Sequence, residues 1–103
     1  MLIVTSEHIE DKKLMHLGIV RGGMVQSKHL GKDFMAGLKT IVGGELKGYT
    51  EMMNEARALA TKRMVEEAQS MGADAIVAVR YVSSAITQGA AEVVAYGTAV
   101  KFG

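Results

Sequence analysis

Between Thr50 and Met71 the residues Met52, Met53, Ala56, Leu59, Ala60, Met64, Ala68 and Met71 recur every three or four positions. This pattern limits the possible folds more than any other feature, because one apolar stripe at helical period needs a second layer to lie against. The ends of the stretch carry boundary signals too. Thr50 suits the N-cap, Glu51 and Glu55 suit the positive end of the helix dipole, and Gly72 suits the position just past the C-terminus.

Most of the remaining sequence reads as strand. Leu2–Ser6 is a short β-rich run. Lys13–Gln26 alternates, with Leu14, His16, Gly18 and Val20 on one face and Met15, Leu17 and Ile19 on the other. Both faces are apolar, so cover is expected on both sides, and Gly22-Gly23 points to a bulge or a close backbone approach. Ala73–Val82 is nearly continuously apolar and Ser83–Gly89 reads as a turn. Glu92–Phe102 then returns as a last strand, antiparallel to the one before it. Between these groups, Gly31–Val42 carries Phe34, Met35, Leu38, Ile41 and Val42 at helical spacing and reads as a short helix stopping at Gly43-Gly44.

The expected fold is α+β, a two-layer β-β-α-α-β-β arrangement with one long helix on an antiparallel sheet. One helix covers one sheet face. In the last strand Val94, Tyr96, Val100 and Phe102 share a face, while Ala91, Val93, Ala95 and Ala99 share the other. Neither set is polar, and a second copy of the chain is the economical cover for the face the helix leaves open. Asn54, Ala58, Thr61 and Val65 form a small, uncharged stripe roughly opposite the Met-rich face. They read as a second contact surface between copies.

Composition agrees with self-association. The chain reads as one domain, 1–103, with a modest core, yet 49% of it is hydrophobic, with eight Met and no Trp. Net charge is +1, the basic residues are scattered and only 5% are aromatic, which argues against a nucleic-acid partner. The apolar run Met1–Val4 is too short for a signal peptide or a membrane span, and cysteine is absent, so a cytoplasmic location without a membrane partner is expected.

Three segments carry a family likeness: IVGGELKGYTEMMNEAR from Ile41, RMVEEAQSMGADAIVAVRY from Arg63 and EVVAYGTAV from Glu92. With Ile3–Ser6 and Leu17–Gly22, they resemble the YbjQ-like family of small prokaryotic proteins from one end of the chain to the other. The resemblance implies a dodecin-like grouping and a homo-oligomeric ring, a pentamer with strands from neighbours contributing. Some members carry a heavy-metal-binding label, and no catalytic residues come with the family.

The residues give that metal label little to work with. Soft metals favour thiolate and thioether ligands, while imidazole suits zinc, copper and nickel. There is no Cys, and His8, His16 and His29 fall in three different elements without ligand spacing. No metal ligands are therefore assigned, and no cofactor is identified. The Gly43–Glu51 run is read as a tight turn between helices, since Glu45 and Glu51 oppose a phosphate there. The best polar set for a ligand pocket is Arg21, Glu45, Lys47, Tyr49, Glu51, Arg57 and Arg80. Arg80 sits in an apolar strand, where a salt bridge between subunits explains it as well as a ligand contact does. Glu67 is expected to pair with Arg63. The leading reading is a homo-oligomer holding a small ligand or metal between subunits, or acting as a structural module. The alternative is an enzyme with an inter-subunit site around Glu45, Tyr49 and Arg57.

Overall fold

The computed structural model describes residues 1–27, 41–42, 45–87 and 89–103, with only the backbone of residues 41, 42 and 45–47. Its elements run β1 (Leu2–Ile3), β2 (Leu14–Ser27), β3 (Ile41–Val42), β4 (Glu45–Leu46), α1 (Lys47–Ser70), β5 (Ala75–Thr87) and β6 (Ala90–Phe102). Strands order as β1-β5-β6-β2, and α1 lies across one face of that sheet. The fold is α+β with one described helix on a four-stranded sheet. The sheet is mixed and not wholly antiparallel: β2 and β5 flank β6 antiparallel, while β1 runs parallel to β5.

The helix buries Met52, Ala56, Ala60, Met64 and Ala68, a line spaced every four residues. Three of the five are alanine, so the helix backbone can come close to the sheet. It meets β2 at Gly22, where a Cβ would overlap the Ala60 carbonyl and the Met64 amide. This is the close approach expected at Gly22-Gly23. The bulge lies elsewhere, at Leu17, where the β2–β6 register shifts between His16 and Gly18. Val20, Ile76, Val79, Val93, Ala95 and Ala99 complete the core under the helix.

Both helix ends are defined by backbone geometry. Gly72 has φ +76° and donates to the Gln69 carbonyl, while Ala73 donates to the Ala68 carbonyl, at 3.0 and 3.1 Å. These two bonds form a Schellman C-cap, as the expected glycine stop requires. The start differs from the expectation. The helix begins at Lys47, directly after β4, so Thr50 is not an N-cap, and the first turn holds no acid to meet the dipole. Most of the expected short helix, Gly31–Val42, lies outside the described residues. Its last two residues, Ile41 and Val42, instead form β3 and pair with β4.

The expected turn over Ser83–Gly89 is also corrected. β5 continues to Thr87 and β6 starts at Ala90, so the two make one long hairpin whose turn contains Gly89 at φ +77°. Ser83, Ser84 and Ala85 alternate across the sheet opposite Val93, Glu92 and Ala91 and belong to the ladder.

The face away from the helix is partly covered by this chain itself, contrary to the expectation that only a copy could do so. Val4 and Ile9 pack with Leu14 and Phe102 over Ala75, Val77 and Val100. A strained bulge fixes that N-terminal segment. Ala78 adopts φ +53°, and its N–H donates to the Ser6 carbonyl at 2.8 Å while Val79 N–H donates to the Val4 carbonyl at 3.0 Å. Cover stops there. Every residue from Arg80 to Thr87 is exposed, and among the described residues no strand pairs with this part of β5 on its outer side.

Candidate functional site

Strand register brings two of the candidate ligand residues together. Arg21 on β2 and Arg80 on β5 both stand opposite Tyr96 on β6, making one row across three adjacent strands. The row lies on the face away from α1, since Gly22 and Ala95, each one residue along, sit under the helix. Both arginines are exposed, and Tyr96 is 39% exposed. The flanking rows on this face are Ile19–Thr98–Val77 on one side and Gly23–Val94–Val82 on the other. Ile19 is 78% exposed and Val82 51%, so two cations and a phenol stand in a largely apolar surround that α1 does not cover.

Arg80 is tied down at one end. Its Nη1 donates to the Thr5 carbonyl at 2.9 Å and to the Val79 carbonyl at 3.0 Å, closing the clamp on the N-terminal segment. The two explanations held open for Arg80 are joined within the chain by a third, a charge-assisted bond to backbone. Arg63 likewise answers to backbone. It donates to the Gly23 carbonyl at 2.7 Å, and the ion pair on this stretch of helix joins Lys62 and Glu66 at 4.0 Å. The expected Arg63–Glu67 pair is therefore replaced by a helix-to-strand bond, because α1 passes directly over β2.

The other candidates sit around α1. Arg57 bonds the Asn54 side chain one turn back. Tyr49 is half-buried and Glu51 exposed near the helix start, while β4 holds the Glu45 backbone and Lys47 opens the helix. Tyr49 and Arg57 are eight residues apart, about 12 Å along the axis at 1.5 Å per residue. Of the seven candidates, Arg21 and Arg80 thus lie on the open sheet face, Lys47, Tyr49, Glu51 and Arg57 on the helix, and Glu45 on β4.

The stripe Asn54, Ala58, Thr61 and Val65 lies on the flank of α1 that turns toward β5. Val65 packs half-buried against the core, and Thr61 Oγ1 is 2.7 Å from the Tyr81 hydroxyl. Thr61 spends its own proton on the Arg57 carbonyl at 2.7 Å, so Tyr81 is the donor in that pair. Asn54 and Ala58 remain exposed beside the uncovered half of β5.

Tyr96 and Tyr81 were not among the candidates. Tyr96 could have been found only through the hairpin register that sets it opposite Arg80, and the register shifts within the hairpin hide that register from the sequence. Among the described residues, no three His, Cys, Asp or Glu side chains are grouped so as to hold a metal ion, and no helix is long and apolar enough to cross a membrane.

Comparison with known proteins gives one consistent result. The model of the YbjQ family described as "Putative heavy-metal-binding" matches residues 1–103. A UPF0145 protein of Alkaliphilus metalliredigens is 62% identical over 102 residues, covering 99% of each chain. Another, of Clostridium novyi, is 60% identical over 101 residues, covering 98% of each. Among solved structures, a DUF74-family protein of unknown function from Pediococcus pentosaceus superposes with a TM-score of 0.69 at 15% identity. That match covers 100% of this chain and 98% of the other, and at such identity it speaks to fold alone.

Proposed function

The chain belongs to the YbjQ (UPF0145) family, and from that premise we propose that it works as a cytoplasmic homo-oligomer binding a small ligand where subunits meet. The observation that carries the proposal is the outer half of β5. Tyr81–Thr87 (YVSSAIT) contains no charge and no proline, is exposed throughout, and has a free outer edge among the described residues. Edges of that kind pair with other chains unless something blunts them, and charge or proline are the usual means. The helix flank at Asn54, Ala58 and Thr61 adds a small-residue surface beside the same edge.

A copy docked at the β5 edge would extend the sheet, and head-to-tail repetition of such a contact forms a ring when the rotation between copies closes. A ring of five and the dodecin-like grouping rest on the family resemblance. The ligand half of the reading is supported by the position of the Arg21–Tyr96–Arg80 row, which runs from one edge strand of this sheet region to the other. Any copy joined at an edge therefore borders it. Cation ligands gain nothing from two guanidinium groups, so the metal label draws no support from this face.

Light scattering on the intact chain tests the assembly. The expected mass is a multiple of 11.0 kDa, and Ser83→Lys with Ala85→Lys is expected to lower it toward that of one chain while the fold persists. A wild-type mass of 11.0 kDa at working concentration would remove the proposal.

A further inference from the structure

We propose that the Arg21–Tyr96–Arg80 row binds an organic anion, a carboxylate carried on a flat apolar body, lying across the open sheet face. The inference rests on the small-ligand reading above and specifies the ligand. Neighbouring strands lie about 4.8 Å apart, so the two arginine backbones stand about 10 Å apart with Tyr96 midway.

The row itself carries only positive charge. Among the described residues neither arginine has a carboxylate within ion-pair distance, and the nearest acid along β6, Glu92, is four residues from Tyr96. Arg80 is held by its Nη1 bonds to Thr5 and Val79, which leaves Nη2 without a protein acceptor among the described residues. One end of the guanidinium fork is thus fixed in place before any ligand arrives, and Arg forks match carboxylates in a bidentate way. Tyr96 supplies an exposed ring on the strand between those of the two arginines, with no hydrogen bond to its hydroxyl among the described residues.

The surround selects against small hydrated anions. Ile19, Val94 and Val82 flank the row, and Gly23 contributes no side chain beside Val94. An inorganic anion would leave that apolar surface wet, whereas a flat hydrocarbon body covers it and stacks on the phenol and guanidinium planes. Charge and shape together call for an aromatic carboxylate.

The test is calorimetric titration of the full chain at low ionic strength with 2-naphthoate, against its neutral amide and inorganic phosphate as controls. Saturable binding of naphthoate is expected, with amide and phosphate each weaker by about tenfold or more, the effect of losing one charge-assisted contact or the apolar body. Arg21→Ala is the primary variant, because its guanidinium makes no bond to the protein among the described residues, so its loss leaves folding intact. It is expected to weaken naphthoate about tenfold. Arg80→Ala should do the same and, in addition, loosen the N-terminal segment. No naphthoate binding, equal binding of the amide or phosphate, or unchanged affinity in Arg21→Ala would overturn the inference. Mass measured on the same samples separates the two readings. An assembled wild type that ignores naphthoate loses this inference alone, and a monomer that binds it loses the assembly alone.

Discussion

At Gly22 only hydrogen fits, because the helix backbone at Ala60 and Met64 occupies the space a methyl group would take. Backbone cannot rotate aside as a side chain can, so Gly22→Ala is expected to cost roughly 3 kcal/mol, the upper end for an overpacked core. Chemical denaturation reads that directly. Tyr81→Phe makes the opposite kind of test. It removes the one hydrogen bond described between α1 and β5, which is solvent-exposed, and should cost about 0.5–1 kcal/mol. The sequence carried the glycine signal and placed it correctly. It could not carry Tyr81–Thr61, because a tyrosine in a strand gives no hint of which helix turn its hydroxyl will reach.

The same division holds for whole elements. The apolar period from Met52 to Ala68 and the glycine at 72 marked the buried face and the end of α1, since both depend on residues close in sequence. The start differs from the sequence expectation: Thr50 has the chemistry of a cap, but β4 leads straight into the helix at Lys47. This difference is measurable. Thr50→Ala should change stability by less than about 0.5 kcal/mol, against about 1 kcal/mol for a true N-cap, and a loss of the larger size would restore the later start. Gly48→Ala should stabilise, by up to about 1 kcal/mol, since Gly48 lies within the helix. The β5–β6 hairpin departs from expectation for a related reason. Ser83 and Ser84 look like turn residues, yet the cross-strand partners Val93 and Glu92 hold them in the ladder. With the turn drawn too wide, register was lost, and with it the alignment of Arg21, Tyr96 and Arg80. The parallel pairing of β1 was beyond reach as well, since two residues against a distant strand carry no periodic signal.

At the scale of the molecule, the apolar excess in the composition corresponds to definite surfaces. The N-terminal segment covers one end of the open sheet face, the helix covers the other face over β2 and β6, and the outer half of β5 is exposed, with no strand on its outer edge among the described residues. Ile19, Val25, Val82 and Ile86 are exposed on the sheet, and exposed apolar surface of that kind is what the proposed assembly would bury. Native mass spectrometry of the intact assembly tests that claim most directly, because it counts subunits and weighs whatever they hold. A multiple of the 11.0 kDa chain is expected, fivefold if the family resemblance extends to its ring, and lysines placed along the β5 edge are expected to collapse it. A single-chain mass at concentrations where the protein is folded would contradict it.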